Sequence, residues 1–372
     1  MGFEFAKHLI IKEMSHQNRK IIINHKVYQA DNLHTLLENE STEVSWPGLV
    51  YAFLQNWFDD SDVIITHTSG STGQPKEIRL KKQAMLNSAA MTNSFFSLSA
   101  ENTALLCLPA SYIAGKMMLV RAIVGGFNLI CVEPEANPFK NLSTKIDFAA
   151  ITPYQLNHSL ESLRTYPVKS IIVGGSPVNA ALEKACENIP AALYETYGMT
   201  ETASHIALRR FNGKKSDYFH ILNGVSIRHD ERNCLVIKAP HLTTEELITN
   251  DIVEIQDEQN FRWLGRADSV INSGGVKIFP EQLERKLQTL IDIPFFVSAV
   301  PDDKLGQKVV LVAECNAAEL RKTELLLQKS LSNISKYEIP KAFFHLEKFV
   351  YSSSNKVLRK ETLNKAIKAD KH

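Results

Sequence analysis

No apolar run in this 372-residue chain reaches the ~20 residues that a membrane-spanning helix requires. The nearest candidate, Met117 to Val132, is broken by Arg121 and by Gly125-Gly126. An excess of one charge is also missing: 42 Lys and Arg stand against 41 Asp and Glu, a net of +1. A dedicated nucleic-acid binder needs a cationic excess to displace counterions, which argues against that class of partner. Cysteine is scarce, with five residues at 107, 131, 186, 234 and 315, no C-x-x-C pair and no Cys/His cluster at zinc spacing. Neither a disulfide framework nor a structural metal site is indicated, and free thiols in a reducing cytoplasm are expected. The leading Met-Gly-Phe-Glu-Phe-Ala-Lys lacks the apolar stretch of a secretory signal, and Ala6 does not fit a myristoylation site.

What is present is an ordinary globular composition, 44% hydrophobic and 22% charged. At roughly 150 residues per domain, the length suggests two or three domains. Between residues 60 and 240, short β-branched runs alternate with amphipathic stretches. Strands are expected at 62–66, 77–80, 104–108, 128–132, 148–151 and 170–173, with a helix over 81–98. Ser176-Pro177 reads as the cap and first residue of a helix over 178–187. This alternation implies an α/β fold built on a largely parallel sheet covered on both faces. From about Val225 to Leu264 the runs become short, without long helices, and read as a small antiparallel or barrel-like unit. Strands near 295–300 and 309–314 and helices near 281–290 and 323–331 follow. A boundary is expected at residue 268, dividing the chain into lobes 1–267 and 268–372. Residues 269–372 carry a net positive charge and the remainder a net negative one, which agrees with that division.

The strongest local signal is Thr66-His67-Thr68-Ser69-Gly70-Ser71-Thr72-Gly73-Gln74-Pro75-Lys76. Its glycines let the backbone curl and present N–H groups, its hydroxyls add donors, and Lys76 adds a cation, the parts needed to hold a polyphosphate. It lacks the Gly-Lys-Ser/Thr ending of a Walker A loop and is followed by a strand, so on composition alone a plain hairpin also fits.

The segment Thr68 through Lys76 resembles the phosphate loop of the adenylate-forming superfamily, which includes acyl- and aryl-CoA synthetases, peptide-synthetase adenylation domains and luciferases. Further matches follow in family order. Gly174-Gly175-Ser176 is similar to the glycine loop that lies against adenine, and Tyr197-Gly198-Met199-Thr200-Glu201 to the Y-G-x-T-E motif. Thr249-Asn250-Asp251 resembles T-G-D with Asn for Gly, Gly265-Arg266-Ala267-Asp268 resembles G-R-x-D, and Gly274-Gly275-Val276-Lys277-Ile278 resembles G-G-x-K-I. The resemblance spans roughly residues 62 to 360. It implies a large N-terminal lobe of mixed, largely parallel sheets and a small mobile α+β C-terminal lobe.

The resemblance also implies the chemistry. A carboxylate attacks the α-phosphate of ATP, giving an acyl-adenylate and pyrophosphate, and the thiol of coenzyme A then displaces AMP. The barrier is the approach of two anions, so positioning, cations and donors suffice without an enzyme nucleophile. Lys356, in Ser354-Asn355-Lys356-Val357-Leu358-Arg359, resembles the family's adenylation lysine, with Asn355 in place of Gly. Thr200 is expected at the α-phosphate, and Glu201 as the Mg²⁺ ligand beside phosphate oxygens and water. Thr68, Ser69, Gly70, Ser71, Thr72, Gly73 and Lys76 would hold phosphate. Gly174, Gly175, Ser176, Tyr197 and Gly198 would line the nucleotide site, with Asp251 and Arg266 at the ribose. Asp268 is the expected hinge, and Gly275 and Lys277 belong to the thioester-forming face.

For the acid, Leu108-Pro109-Ala110-Ser111-Tyr112-Ile113-Ala114-Gly115-Lys116 stands where relatives carry L-P-x-x-H-x-x-G. Lys116, Arg121 and Arg209 are cations near that region, open to two readings: partners for a second substrate carboxylate, or surface and structural charges. The run Ser111 to Ala122, with Met199 to Arg210, is most similar to the compact o-succinylbenzoate–CoA ligases of menaquinone biosynthesis. On that resemblance Tyr112, Lys116, Ser204 and His205 are candidate acid-binding residues. The expected partners are an aromatic carboxylic acid, ATP and CoA, with no nucleic acid and no membrane insertion, and a homodimer is left open. Alternatives are another aryl- or acyl-CoA ligase, a stand-alone amino-acid adenylation enzyme, or a non-catalytic nucleotide-binding protein. The chain ends sixteen residues after Lys356 with no carrier module, and only 67 residues precede Thr68. The ending counts against a stand-alone amino-acid adenylation enzyme, and the short leading segment suggests a compact ligase whose acid pocket is built mainly from residues 108–210.

Overall fold

A computed structural model describes residues 20–37, 45–68, 76–329, 334–351 and 357–370. Five parallel strands make the centre of a 13-stranded sheet, in the order Asn128–Cys131, Thr103–Leu106, Ile146–Ile151, Val168–Val173 and Ala192–Gly198. Strands such as Phe148-Ala149-Ala150-Ile151 are apolar throughout because helices cover both faces. The helices Lys82–Phe96 and Ile113–Gly125 pack together over one face, where Met85, Ala89, Met118 and Phe127 are buried.

At Ala192–Gly198 the sheet changes character. The next strand, His205–Arg210, is antiparallel, and so are Phe219–Ile221, Asn260–Arg266, Leu247–Ile255, Cys234–Lys238 and Ser226–His229 beyond it. Of the two forms expected for these runs, antiparallel or barrel-like, the strands are antiparallel, with register shifts at Cys234/Val236 and Ile252/Val253, and they continue the large sheet. The change from parallel to antiparallel leaves the carboxyl ends of Val168–Val173 and Ala192–Gly198 opening into a crevice. Ligands of open α/β sheets bind in such a place.

A second sheet of five strands begins at Ile271, three residues after Asp268. Its centre is Gly306–Glu314, flanked by Phe295–Asp302 and by Ala342–Leu346. Buried Ile271, Leu283, Leu287 and Leu311 give it a core of its own. A third, two-stranded sheet is the hairpin of Val63–Thr68 and Lys76–Lys81, paired in register from Val63↔Lys81 to Thr68↔Lys76. The strand expected after the Gly/Ser/Thr loop is therefore present, and the loop joins the two arms.

Three local expectations are corrected. The helix expected from Ser176-Pro177 starts at Ala180, and Asn179 caps it by accepting from Leu182 N at 2.8 Å. Pro177 and Val178 lie before the helix, and Val178 N donates to buried Glu195 at 2.8 Å. The helix expected from Thr323 starts at Ala317, where Asn316 and Glu319 exchange reciprocal side chain–backbone bonds at 3.0 Å, the arrangement of a capping box. The strand Ala342–Leu346 had no counterpart in the pattern reading. All five cysteines are free and buried, and burial pushes the thiols of Cys107 and Cys186 up to about 12. Among the described residues no helix is long and apolar enough to cross a membrane.

Candidate active site

A cleft of 890 Å³ lies between the crevice of the large sheet and the helix Pro280–Leu287 of the second. Gly175, Ser176, Tyr197, Gly198 and Asp251 line it, so five of the residues expected at the nucleotide come together across 77 positions of sequence. Gly175 has φ +91 and open space around its Cα, a left-handed conformation that glycine adopts without a steric penalty. A Cβ on Gly198 would lie 2.4 Å from the backbone of Ser204 and His205, so only glycine allows this approach.

The Asp251 carboxylate is fixed by two donors. The Tyr197 hydroxyl donates to one carboxylate oxygen at 2.7 Å, and the Trp263 indole donates to the other at 3.2 Å. Burial and the Asp251 carboxylate push the Tyr197 phenol far above its usual range, so it remains a donor. Trp263 was not singled out by the motifs, although it precedes Gly265-Arg266 on the strand paired with Asp251. Arg266 lies opposite Asp251 in register, but its guanidinium pairs with Asp268 at 3.2 Å. The expected ribose helper and the expected hinge residue thus hold each other. Gly275 sits at the exposed turn between Ile271–Ser273 and Val276–Ile278, and Lys277 is exposed on the second of these strands.

Thr200 and Glu201 begin a short turn, Thr200–Thr202, directly after the strand carrying Tyr197. Fully buried Thr202 ties that turn: its hydroxyl accepts from Met199 N at 3.1 Å and donates to Ser204 O at 2.7 Å. Glu201 is exposed and forms no ion pair among the described residues. Those residues contain no group of three or more His, Cys, Asp or Glu able to hold a metal. A single free carboxylate fits magnesium, which takes one or two carboxylates and fills its sphere with phosphate oxygens and water. The residues Ser69, Gly70, Ser71, Thr72 and Gly73, and Lys356, lie outside the described residues; Thr68 and Lys76 are described only as the strand ends flanking the loop. Arg359, three residues past Lys356, lines the cleft and makes a two-pronged ion pair with buried Glu284 at 2.8 and 2.9 Å.

The structure separates the three cations near the acid region. Arg209 is buried and satisfied: it binds Glu195 at 2.7 Å and Glu183 at 3.3 Å, and Glu183 also receives Arg285 of the second sheet's helix at 2.5 Å. It is a structural charge that ties one wall of the cleft to the other. Lys116 donates to Ile65 O at 3.0 Å and lines a second cavity of 420 Å³ with Arg79 and Ser111; half-burial lowers its pKa. Arg121 differs from both. It is 1% exposed, its Nη2 donates to Ser204 Oγ at 2.8 Å, its Nη1 meets only the Met118 sulfur at 3.6 Å, and its Nε has no partner. No carboxylate pairs with it among the described residues, and burial lowers its pKa.

Of the remaining acid-site candidates, Tyr112 is 60% exposed, and Ser204 is half-buried against Arg121. His205 is 4% exposed with both ring nitrogens engaged, Nδ1 by Ser204 and Nε2 by Thr92. It therefore reaches an acid only through its neighbours.

A family model described as AMP-binding enzyme matches residues 5–229. A 2-succinylbenzoate–CoA ligase from Bacillus cereus (strain ZK / E33L) is 28% identical over 335 residues, covering 80% of this chain and 68% of that protein. Among solved structures, an acyl-CoA synthetase (AMP-forming)/AMP-acid ligase II-like protein from Dyadobacter fermentans DSM 18053 is 36% identical with a TM-score of 0.58, covering 89% of this chain and 97% of that one. An o-succinylbenzoate coenzyme A synthetase from Bacillus subtilis, in complex with ATP and magnesium ion, has a TM-score of 0.68 at 22% identity, over 80% of this chain and 69% of its own. That last likeness is one of fold.

Proposed function

The chain belongs to the AMP-binding enzyme family, and on that premise we propose that it is an ATP-dependent acid–CoA ligase acting through an acyl-adenylate, with o-succinylbenzoate as its acid. The observation that carries the choice of acid is Arg121. A buried guanidinium without a counter-charge costs several kcal/mol. A substrate with two carboxylates offsets that cost: one carboxylate is activated, and the other pairs with Arg121 beside Ser204. Relatives named 2-succinylbenzoate–CoA ligases support the same reading.

In the first half-reaction the acid carboxylate attacks the α-phosphorus of ATP and pyrophosphate leaves. In the second the CoA thiol, losing its proton, attacks the acyl carbonyl and AMP leaves. The loop 68–76 would cradle the phosphates, Thr200 would donate to the α-phosphate, and Asp251 would accept from the ribose hydroxyls. Glu201 would hold Mg²⁺, which when bound neutralises phosphate charge. Lys356 would neutralise the charge gathering between the two reacting anions, a role supported by Arg359 lining the cleft three residues away. We extend the reading to two lobes meeting at Asp268, the second turning to exchange Lys356 for the face carrying Gly275 and Lys277. A cytoplasmic location accords with the five free, buried thiols.

The test is AMP release measured over a panel of carboxylic acids, with and without CoA. Sustained AMP release with o-succinylbenzoate and CoA is expected. Turnover of benzoate, phenylacetate, a fatty acid or an amino acid, with none of o-succinylbenzoate, would contradict the assignment.

A further inference from the structure

Four elements meet behind Arg121: its own helix, the turn carrying Ser204, the strand that starts at His205, and the helix Lys82–Phe96 carrying Ser88 and Thr92. One assignment of the polar contacts among them gives the Ser204 and Thr92 hydroxyl protons an acceptor each. Arginine only donates, so Ser204 Oγ accepts from Arg121 Nη2 at 2.8 Å and keeps its own proton for His205 Nδ1 at 3.3 Å. At the other end the Thr92 hydroxyl lies 3.2 Å from both Ser88 O and His205 Nε2; with its proton on Ser88 O it accepts from Nε2–H, which leaves Nδ1 as the acceptor for the Ser204 proton. Nε2 therefore carries the ring hydrogen, and Nδ1 offers a lone pair. The chain runs one way, from Arg121 through Ser204, His205 and Thr92 to Ser88 O.

We propose that His205 is a positioning residue for the acid site, a neutral acceptor that turns the Ser204 hydroxyl so that its lone pair faces Arg121 and fixes the guanidinium for the distal carboxylate of the substrate. This rests on the reading of Arg121 given above. Two further observations agree with it. Thr92, Ser88 and His205 are 0%, 1% and 4% exposed, so bulk solvent does not reach the ring. Ala203, immediately before Ser204, is fully buried at φ +60, a strained conformation for an alanine that is held by the Thr202 tie. The backbone is bent at the place that presents Ser204 to Arg121. Burial and the neighbouring Arg121 both hold the imidazole well below its usual pKa, which keeps it neutral.

The test compares kcat/KM for o-succinylbenzoate with kcat/KM for an analogue lacking the distal carboxylate. His205→Phe keeps a ring and removes the acceptor; the diacid-to-monoacid ratio is expected to fall about tenfold, carried by KM for the diacid. Thr92→Val, which releases the far end of the chain, should lower the same ratio. His205→Asn sets an acceptor where Nδ1 lies and should restore most of it, whereas His205→Gln, which reaches toward Thr92, should not. If His205→Phe does not fold, the Asn and Gln variants decide between the outcomes. A ratio that survives in His205→Phe, or in both the Asn and Gln variants, while Arg121→Met collapses it, overturns the role of His205 and leaves Arg121 standing. A ratio unmoved by Arg121→Met overturns the reading of Arg121, and this proposal with it.

Discussion

Lys356→Ala is expected to slow acid-dependent pyrophosphate release by roughly 10²–10³-fold, the size of effect seen when one preorganised charge-stabilising donor is removed. Formation of the CoA thioester from supplied acyl-adenylate should change little. The asymmetry follows from the two half-reactions. The first brings a carboxylate against a triphosphate, and a cation at the reacting oxygens is worth most there. In the second, the acyl group is already attached to AMP, and the attacking thiol carries no such repulsion. The anchoring of the neighbouring chain supports the expectation. Tyr351 and Val357 form an antiparallel bridge, Leu358 N donates to Val350 O at 2.8 Å, and Arg359 is fixed on buried Glu284. Equal losses in both half-reactions would remove Lys356 from the role given to it.

Arg121→Met separates binding from stability in opposite directions. Truncating one partner of a buried, hydrogen-bonded charge pair costs about 2–5 kcal/mol of binding. At ~1.4 kcal/mol per tenfold, kcat/KM for o-succinylbenzoate should fall at least thirtyfold. Replacing an uncompensated buried charge by an apolar side chain of similar length is by contrast neutral or stabilising, so the melting temperature should hold or rise. Arg209 provides the contrast. Its guanidinium is matched by Glu195 and Glu183, and Arg209→Met would leave Glu195 without a cation while Glu183 keeps Arg285, so the melting temperature should fall. A substrate defect in Arg121→Met accompanied by a clear drop in melting temperature would mark Arg121 as structural.

These two arginines mark how far the sequence was readable. Motifs that act through local backbone, such as Gly174-Gly175-Ser176 and Tyr197-Gly198, announce themselves because a left-handed φ or a close approach leaves few residue choices. Four of the five parallel strands were equally plain, since burial gives largely apolar runs; Ala192–Gly198, which alternates buried and half-buried residues, was not. Pairings across long separations were not. Arg121 and Ser204 are 83 residues apart, Arg285 and Glu183 are 102, and nothing near Arg209 announces that two glutamates will enclose it. Caps were a choice between neighbours: Ser176-Pro177 and Asn179 both satisfy the local rule for a helix start, and Asn179 is the one that caps. His205 shows a subtler limit. Beside a catalytic motif it reads as a ligand, and only its burial and its two neighbours reveal that both nitrogens are already committed.

The central claim, that the acid is activated as an adenylate before any thiol takes part, is tested most directly by exchange of labelled pyrophosphate into ATP in the absence of CoA. The account predicts exchange that requires both Mg²⁺ and o-succinylbenzoate. Exchange that proceeds without the acid, a strict requirement for CoA, or release of ADP and phosphate in place of AMP and pyrophosphate would contradict it.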